Sequence, residues 1–219
     1  TNGSLLTNDL SEALISAGLD RLRISIQGVD SDTYYEVAGV KIDLNHYISN
    51  IRFFYENKKN TELYLKIIDM ALISDRDEER FYQLFKPVSD TAAIEYTIPF
   101  VNEIDLSDKT TLKRAKQGHI PQETAICPMP FYQMVLLPSG NITGCCAVKP
   151  PVVYGSVENA SLKDMWENNI RSDFIFTQLT NRWKNAVCRD CSVPMYGLQP
   201  GDYLDPYKQL LLERYYRRT

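Results

Sequence analysis

The stretch CPMPFYQMVLLPSGNITGCC (residues 127–146) decides how the second half of the chain is read. Two apolar runs flank Pro138-Ser139-Gly140-Asn141, a turn sequence that predicts a β-hairpin. One cysteine precedes the hairpin and two adjacent cysteines end it. Successive side chains of a regular strand point to opposite faces. Alternation therefore groups Cys145 with Thr143, and Cys146 with Ile142 on the other, apolar face. Parity admits one of the pair to a shared site, and a twist at Gly144 would exchange their roles.

The chain's five cysteines are Cys127, Cys145, Cys146, Cys188 and Cys191, with none earlier. An odd count with no secretory signal argues against a disulfide framework. Cys188-Arg-Asp-Cys191 is a C-x-x-C turn, which sets two sulfurs close together for chelation or redox chemistry. A thioredoxin-like pair belongs near the start of a βαβ unit, whereas this one comes late with distant cysteines available. Cys127, one of the adjacent pair, Cys188 and Cys191 make up a four-thiolate set. Such a set suits zinc or an iron–sulfur cluster. Spacing leaves both open, and five unrelated buried thiols are the ordinary alternative.

Composition narrows the surroundings. The 219 residues are 44% hydrophobic with a formal charge of −4, enough chain for one large domain or two small ones. The weakly acidic balance, without a long basic run, argues against nucleic acid as a partner. No apolar run approaches the roughly 20 residues of a membrane span, so a soluble, cytoplasmic protein is expected.

Upstream of the hairpin the pattern reads βαβα. TNDLSEALISAGL (7–19) predicts a helix with Leu10, Leu14 and Ala17 on one stripe and Gly18 at its end. DRLRISIQG (20–28) predicts a strand in which Leu22, Ile24 and Ile26 alternate with Arg21, Arg23 and Ser25. DLNHYISNIRFFYENKK (43–59) predicts a helix capped by Asp43 that buries Leu44, Tyr47, Ile48, Ile51 and Phe54. TELYLKIIDMALI (61–73) and TAAIEYTIPFV (91–101) predict strands. SDRDEERFYQLFKP (74–87) predicts the helix between them, stopping before Pro87. Strands separated by single helices imply a parallel sheet, in a barrel or an open α/β arrangement. Downstream, ASLKDMWENNIRS (160–172) predicts a short helix with a capping box at Ser161 and Asp164, burying Leu162, Met165 and Trp166. DPYKQLLLERYYRRT (205–219) predicts an amphipathic helix.

The order of Cys127, a hairpin with a glycine turn, a second cysteine, YGSVENASLKDMW (154–166) and Cys188-x-x-Cys191 resembles the SPASM domain that follows radical S-adenosylmethionine barrels. The N-terminal part is similar as well. TNG (1–3) resembles the end of the third barrel strand and RLRISIQG (21–28) the fourth. YYEVAGVKIDLNHYISNIRFFYE (34–56) and FYQLFKPVSDTAAIEYTIPFV (81–101) resemble members linked to surface-polysaccharide or peptide tailoring. The fold class implied is α/β: the second half of a partial (β/α) barrel, followed by a small α+β cysteine-rich domain. The expected boundaries are 1–104 for the half barrel, 105–125 for a Lys-rich linker, 126–195 for the SPASM domain and 196–219 for a helical tail.

The resemblance implies an auxiliary [4Fe–4S] cluster held by Cys127, Cys188, Cys191 and Cys145. Cys145 is chosen because the family's ligand falls five residues beyond the turn glycine, and Cys146 becomes a packed neighbour. It also implies a reaction for the intact enzyme. A reduced cluster passes an electron to S-adenosylmethionine, and the resulting 5′-deoxyadenosyl radical abstracts a substrate hydrogen. The enzymes that do this hold their reactive cluster on a C-x-x-x-C-x-x-C loop after the first strand. This sequence has no cysteine before Cys127, so it is expected to be the C-terminal portion of such an oxidoreductase and not to cleave S-adenosylmethionine alone. A non-catalytic module whose four cysteines hold a structural zinc ion is the alternative.

Ser25, Asn2 and Lys66 are the cofactor-binding candidates under this resemblance. Their ordinary readings are a surface serine, a turn tripeptide and a strand lysine reaching for solvent. Val37 and Ala38 stand where some members carry an arginine, so that role has no residue here. His46 and His119 are too scattered for a catalytic triad, and Asp164 with Glu167 reads as a solvated helix face. Expected partners are a peptide or sugar/nucleotide-type small-molecule substrate and a reductant protein such as ferredoxin or flavodoxin.

Overall fold

A computed structural model describes residues 1–99 and 112–216. The chain divides into two compact units, Thr1–Thr97 and Ile98–Thr219. The end of the expected third strand at 100–101, the part of the expected linker at 105–111, and the end of the tail at 217–219 lie outside the described residues.

The first unit begins with helix α1 (Asn8–Ser16), whose N-cap Thr7 accepts the Leu10 N–H. Strand β1 (Arg21–Ile26) follows, then α2 (Ser31–Ala38), α3 (Leu44–Asn57), β2 (Glu62–Ile68), α4 (Asp77–Phe85) and β3 (Thr91–Glu95). The three strands form one parallel sheet in the order β1-β2-β3. Helix α2 has no counterpart in the sequence reading; Asp30 and Thr33 start it with a reciprocal capping box. The mixed α/β class is as expected. No closed barrel occurs among the described residues.

Period-2 alternation sorts the sheet into two faces. Leu22, Ile24 and Ile26 of β1 and Leu63, Leu65 and Ile67 of β2 are buried in one core with Ile51 and Phe54 of α3 and Phe81 and Phe85 of α4. The opposite face carries Arg23 and Ser25, Tyr64 and Lys66, and Glu95. α3 buries the five residues expected of it. α1 departs from expectation: Leu10 is 41% exposed and Ala17 is exposed, while Ser11 is buried and Leu14 and Ile15 pack on the core. Leu10 lines an open groove beside β1 with Leu5 and Leu14, so the apolar stripe is split between groove and core.

The second unit is built of short pieces. Helix α5 (Met129–Tyr132) follows Cys127, then strands β4 (Val135–Leu136), β5 (Asn141–Thr143) and β6 (Gly155–Ser156) form an antiparallel sheet in that order. Gly140 closes the hairpin at φ +80°, a left-handed conformation that glycine adopts freely. Residues 131 and 132, expected to open the hairpin, are helical instead because Pro128 and Pro130 favour a helical first turn.

Helices α6 (Leu162–Glu167) and α7 (Asn169–Asn181) replace the single short helix expected at 160–172. Asn168 separates them: it leaves the helical region and caps α7 by accepting the Arg171 N–H. The capping box of Ser161 and Asp164 opens α6 as expected. Met165 is buried, but Leu162 is 53% exposed. Helices α8 (Ala186–Arg189), α9 (Val193–Tyr196) and α10 (Lys208–Tyr216) complete the unit. Leu211, Leu212 and Tyr215 of α10 pack on Ile126, Ile175 and Leu179.

Candidate iron–sulfur site

Each cysteine of the second unit is delivered by a different local device. Cys127 lies between Ile126, which is buried, and the proline-started α5. Its approach is pinned by Asp205, whose carboxylate accepts from Thr124 Oγ1 at 2.7 Å, Ala125 N at 2.8 Å and Ile126 N at 2.9 Å. Cys188 sits in α8, where the Asn185 side chain accepts the Val187 and Cys188 N–H groups. The Asn185 amide donates to Pro151 O at 2.9 Å, tying the C-x-x-C turn to the loop beyond the cysteine pair. Cys191 follows in the same turn, its N–H directed at Cys188 O.

At the adjacent pair the strand argument fails, for a structural reason. β5 ends at Thr143 and the chain bends at Gly144 and Cys145, so alternation no longer governs the residues beyond. A Cβ on Gly144 would stand 2.1 Å from the Tyr154 hydroxyl, so the bend needs a residue without a side chain. Cys145 is partly enclosed. Cys146 is exposed, not packed in a core as expected.

All five thiols are free and line one cavity, together with Phe174, Gln178 and Arg182 of the α7 segment. Its volume is about 30 Å³. That exceeds the ~10–15 Å³ needed by a water and falls far short of the ~300–1,000 Å³ of a pocket for an organic ligand. Among the described residues, no three His, Cys, Asp or Glu side chains close on one point as a set for a single ion. The thiols surround the space instead.

Burial keeps the free thiols in their neutral form. Burial pushes the Cys127 thiol up to about 12 and Cys145 to about 11. Burial also raises Cys188 and Cys191, against opposing help from Gln178 at the first and from the Val193 N–H and Arg182 at the second. Thiolates are the metal-binding form, and a bound metal deprotonates its thiols outright. The backbone N–H groups of Met129, Ala147 and Val193 oppose that rise at Cys127, Cys145 and Cys191. The donor set, thiols alone, suits an iron–sulfur group.

Arg182 braces the cavity wall. It is 5% exposed, and its guanidinium donates to Thr124 O at 3.3 Å and to Cys188 O at 2.6 Å. Gln178, one helical turn earlier, donates to Cys188 Sγ at 3.5 Å. Sequence reading missed both, because its helix ended at residue 172. The available signal was the i, i+4, i+8 stride of Phe174, Gln178 and Arg182, which sets them along one helix face.

The other candidates lie in the first unit. Ser25 and Lys66 are direct register partners across β1 and β2 on the polar face. Thr1 exchanges backbone hydrogen bonds with Arg23 and Ser25, which sets Asn2 beside the same edge of β1. Asn2 itself closes a turn, its Oδ1 accepting from Ser4 N at 3.1 Å and Ser4 Oγ at 3.0 Å. Lys66 is ion-paired with Glu95, a buried carboxylate that also meets Arg23 at 3.3 Å. Glu95 escaped the sequence reading, since a single strand acid has no local signature. His46 is exposed on α3, and Asp164 is occupied by its capping box.

Comparison with protein families now attaches a class to this geometry. Residues 127–192 match SPASM, an iron–sulfur cluster-binding domain. The matched segment lies within the second unit, begins at Cys127 and contains all five cysteines. Neither the comparison with curated proteins nor that with solved structures finds a match. Among the described residues no helix is long and apolar enough to cross a membrane.

Proposed function

We propose that the chain is the C-terminal portion of a radical S-adenosylmethionine oxidoreductase and that it binds one auxiliary [4Fe–4S] cluster through Cys127, Cys145, Cys188 and Cys191. The observation that carries this reading is the convergence of every cysteine in the chain on one small cavity inside the SPASM segment. A polynuclear group takes each thiolate at a different iron, which suits sulfurs that surround a space better than a single tetrahedral ion does. When bound, the cluster supplies one-electron chemistry. Four thiolates would complete its ligation, which favours electron relay or structural support over direct substrate binding.

In the first unit, the three parallel strands with their helices correspond to the second half of the barrel. Ser25, Asn2 and Lys66, gathered at β1 and β2, are the residues we assign to S-adenosylmethionine in the intact enzyme. A peptide or sugar/nucleotide-type small molecule is the proposed substrate, a ferredoxin or flavodoxin the reductant, and the cytoplasm the setting.

The test is metal content after anaerobic purification. Brown protein with iron and sulfide each at about four per chain is expected. Cys188→Ala and Cys145→Ala should lose the iron, and Cys146→Ala should keep it. Colourless protein with one zinc and no sulfide overturns the proposal, and loss of iron in Cys146→Ala alone moves the fourth ligand to that residue.

A further inference from the structure

Two side chains beside the cysteine cavity are buried with polar atoms left unpaired. Tyr154 is 1% exposed, yet its hydroxyl has no hydrogen-bond partner among the described residues. Gln178 is also 1% exposed; its amide nitrogen donates to Cys188 Sγ while its amide oxygen is unpaired. Unpaired buried polar groups are costly and uncommon, and each one asks for a cause.

Their surroundings supply the cause. The Tyr154 hydroxyl lies over Gly144, the residue before Cys145, close enough that a Cβ there would meet it at 2.1 Å. Cys145, Cys127 and Cys188 all lie within electrostatic range of it. Arg171 is its other charged neighbour and, as a cation, offers the hydroxyl no acceptor, so the thiols are the acceptors in range. Gln178 lines the cavity directly and turns its donor, not its acceptor, to a ligand sulfur. Arg182 adds a buried positive charge to the same wall.

We infer that Tyr154 and Gln178 are hydrogen-bond donors to the sulfur atoms of the iron–sulfur site and that they set its reduction potential. The inference rests on the cluster reading proposed above. Reduction adds negative charge to a group already rich in sulfur anions. Donors aimed at those sulfurs stabilise the reduced state more than the oxidised one and raise the potential. They are positioning residues: the electron enters the cluster, and they fix how readily it does so.

The experiment compares the full chain with Tyr154→Phe, Gln178→Leu and Tyr203→Phe. Tyr203 is the control, because its hydroxyl is likewise buried and unpaired but its charged neighbour is Asp202, with no thiol in range. Iron and sulfide are counted first, and the midpoint potential is then read by mediated dithionite titration followed by electron paramagnetic resonance. Tyr154→Phe and Gln178→Leu should hold as much iron as the parent and titrate at more negative potential, while Tyr203→Phe titrates with the parent. Unchanged potentials in the first two, with iron retained, overturn the inference and leave the cluster reading intact. A parent chain without iron and sulfide overturns both. Should Tyr154→Phe lose its iron, Gln178→Leu carries the same readout alone.

Discussion

Gly144 is the residue on which the site's local shape turns. Its missing side chain makes room for the Tyr154 ring, whose hydroxyl and Cζ atom would stand 2.1 Å and 2.9 Å from any Cβ placed there. Tyr154 is 1% exposed and has nowhere to retreat. Gly144→Ala should therefore destabilise the second unit by about 1–3 kcal/mol, the usual cost of overpacking, read as a lower urea midpoint. Adding Tyr154→Phe removes the nearer of the two clashes and should recover part of that loss, which a double-mutant cycle measures. The same residue explains what parity could not decide about the cysteine pair. Alternation is a property of strands, and the strand stops at Thr143. Beyond it the chain packs against a tyrosine ten residues downstream of Gly144, a tertiary contact that no rule of local periodicity contains.

Elements differ in how openly the sequence announces them. β1, α3 and the glycine turn were readable because each is specified by its own residues: alternation, a 3.6-residue stripe with a capping Asp43, and a left-handed glycine. α7 was not, because its buried face includes Arg171 and Gln178 as well as Phe174, Ile175 and Leu179, so its apolar stripe is interrupted. Arg171 is buried there because its guanidinium donates to Trp166 O and Pro130 O, both at 3.0 Å, and stacks on the Trp166 ring. The start of α4 shows a similar dependence. Burial alone would raise the Asp77 carboxyl, but hydrogen bonds from Ser74 and Ile73 outweigh it and hold the group below its ordinary range. Asp90 behaves likewise, with Leu63 N–H and Lys58 as its partners. A carboxylate lowered in the folded state contributes stability above its unfolded pKa of about 3.9 and loses it as pH falls through the lower folded value. Acid titration followed by circular dichroism should show helix loss in that window. Asp77→Asn should be less stable at neutral pH and less sensitive to acid.

At the scale of the whole molecule, the two units divide the cysteines from the residues proposed for S-adenosylmethionine. Every cysteine belongs to the second unit, and Ser25, Asn2 and Lys66 to the first. Metal binding is linked to folding wherever the ligands come from distant parts of a chain. Removing iron should therefore increase hydrogen exchange across 126–195 far more than across 1–97, a contrast that peptide-level mass spectrometry resolves. Equal increases in both would show that the two units do not respond separately.

Asp205 carries this organisation past the edge of family similarity. The match ends at residue 192, yet the carboxylate that grips Thr124, Ala125 and Ile126 lies thirteen residues further on, just ahead of the helix that covers Ile126. The unit of descent and the unit of mechanics are thus different lengths of chain. A polypeptide cut at the boundaries of the recognised domain would keep every thiol and lose the clamp on the first of them.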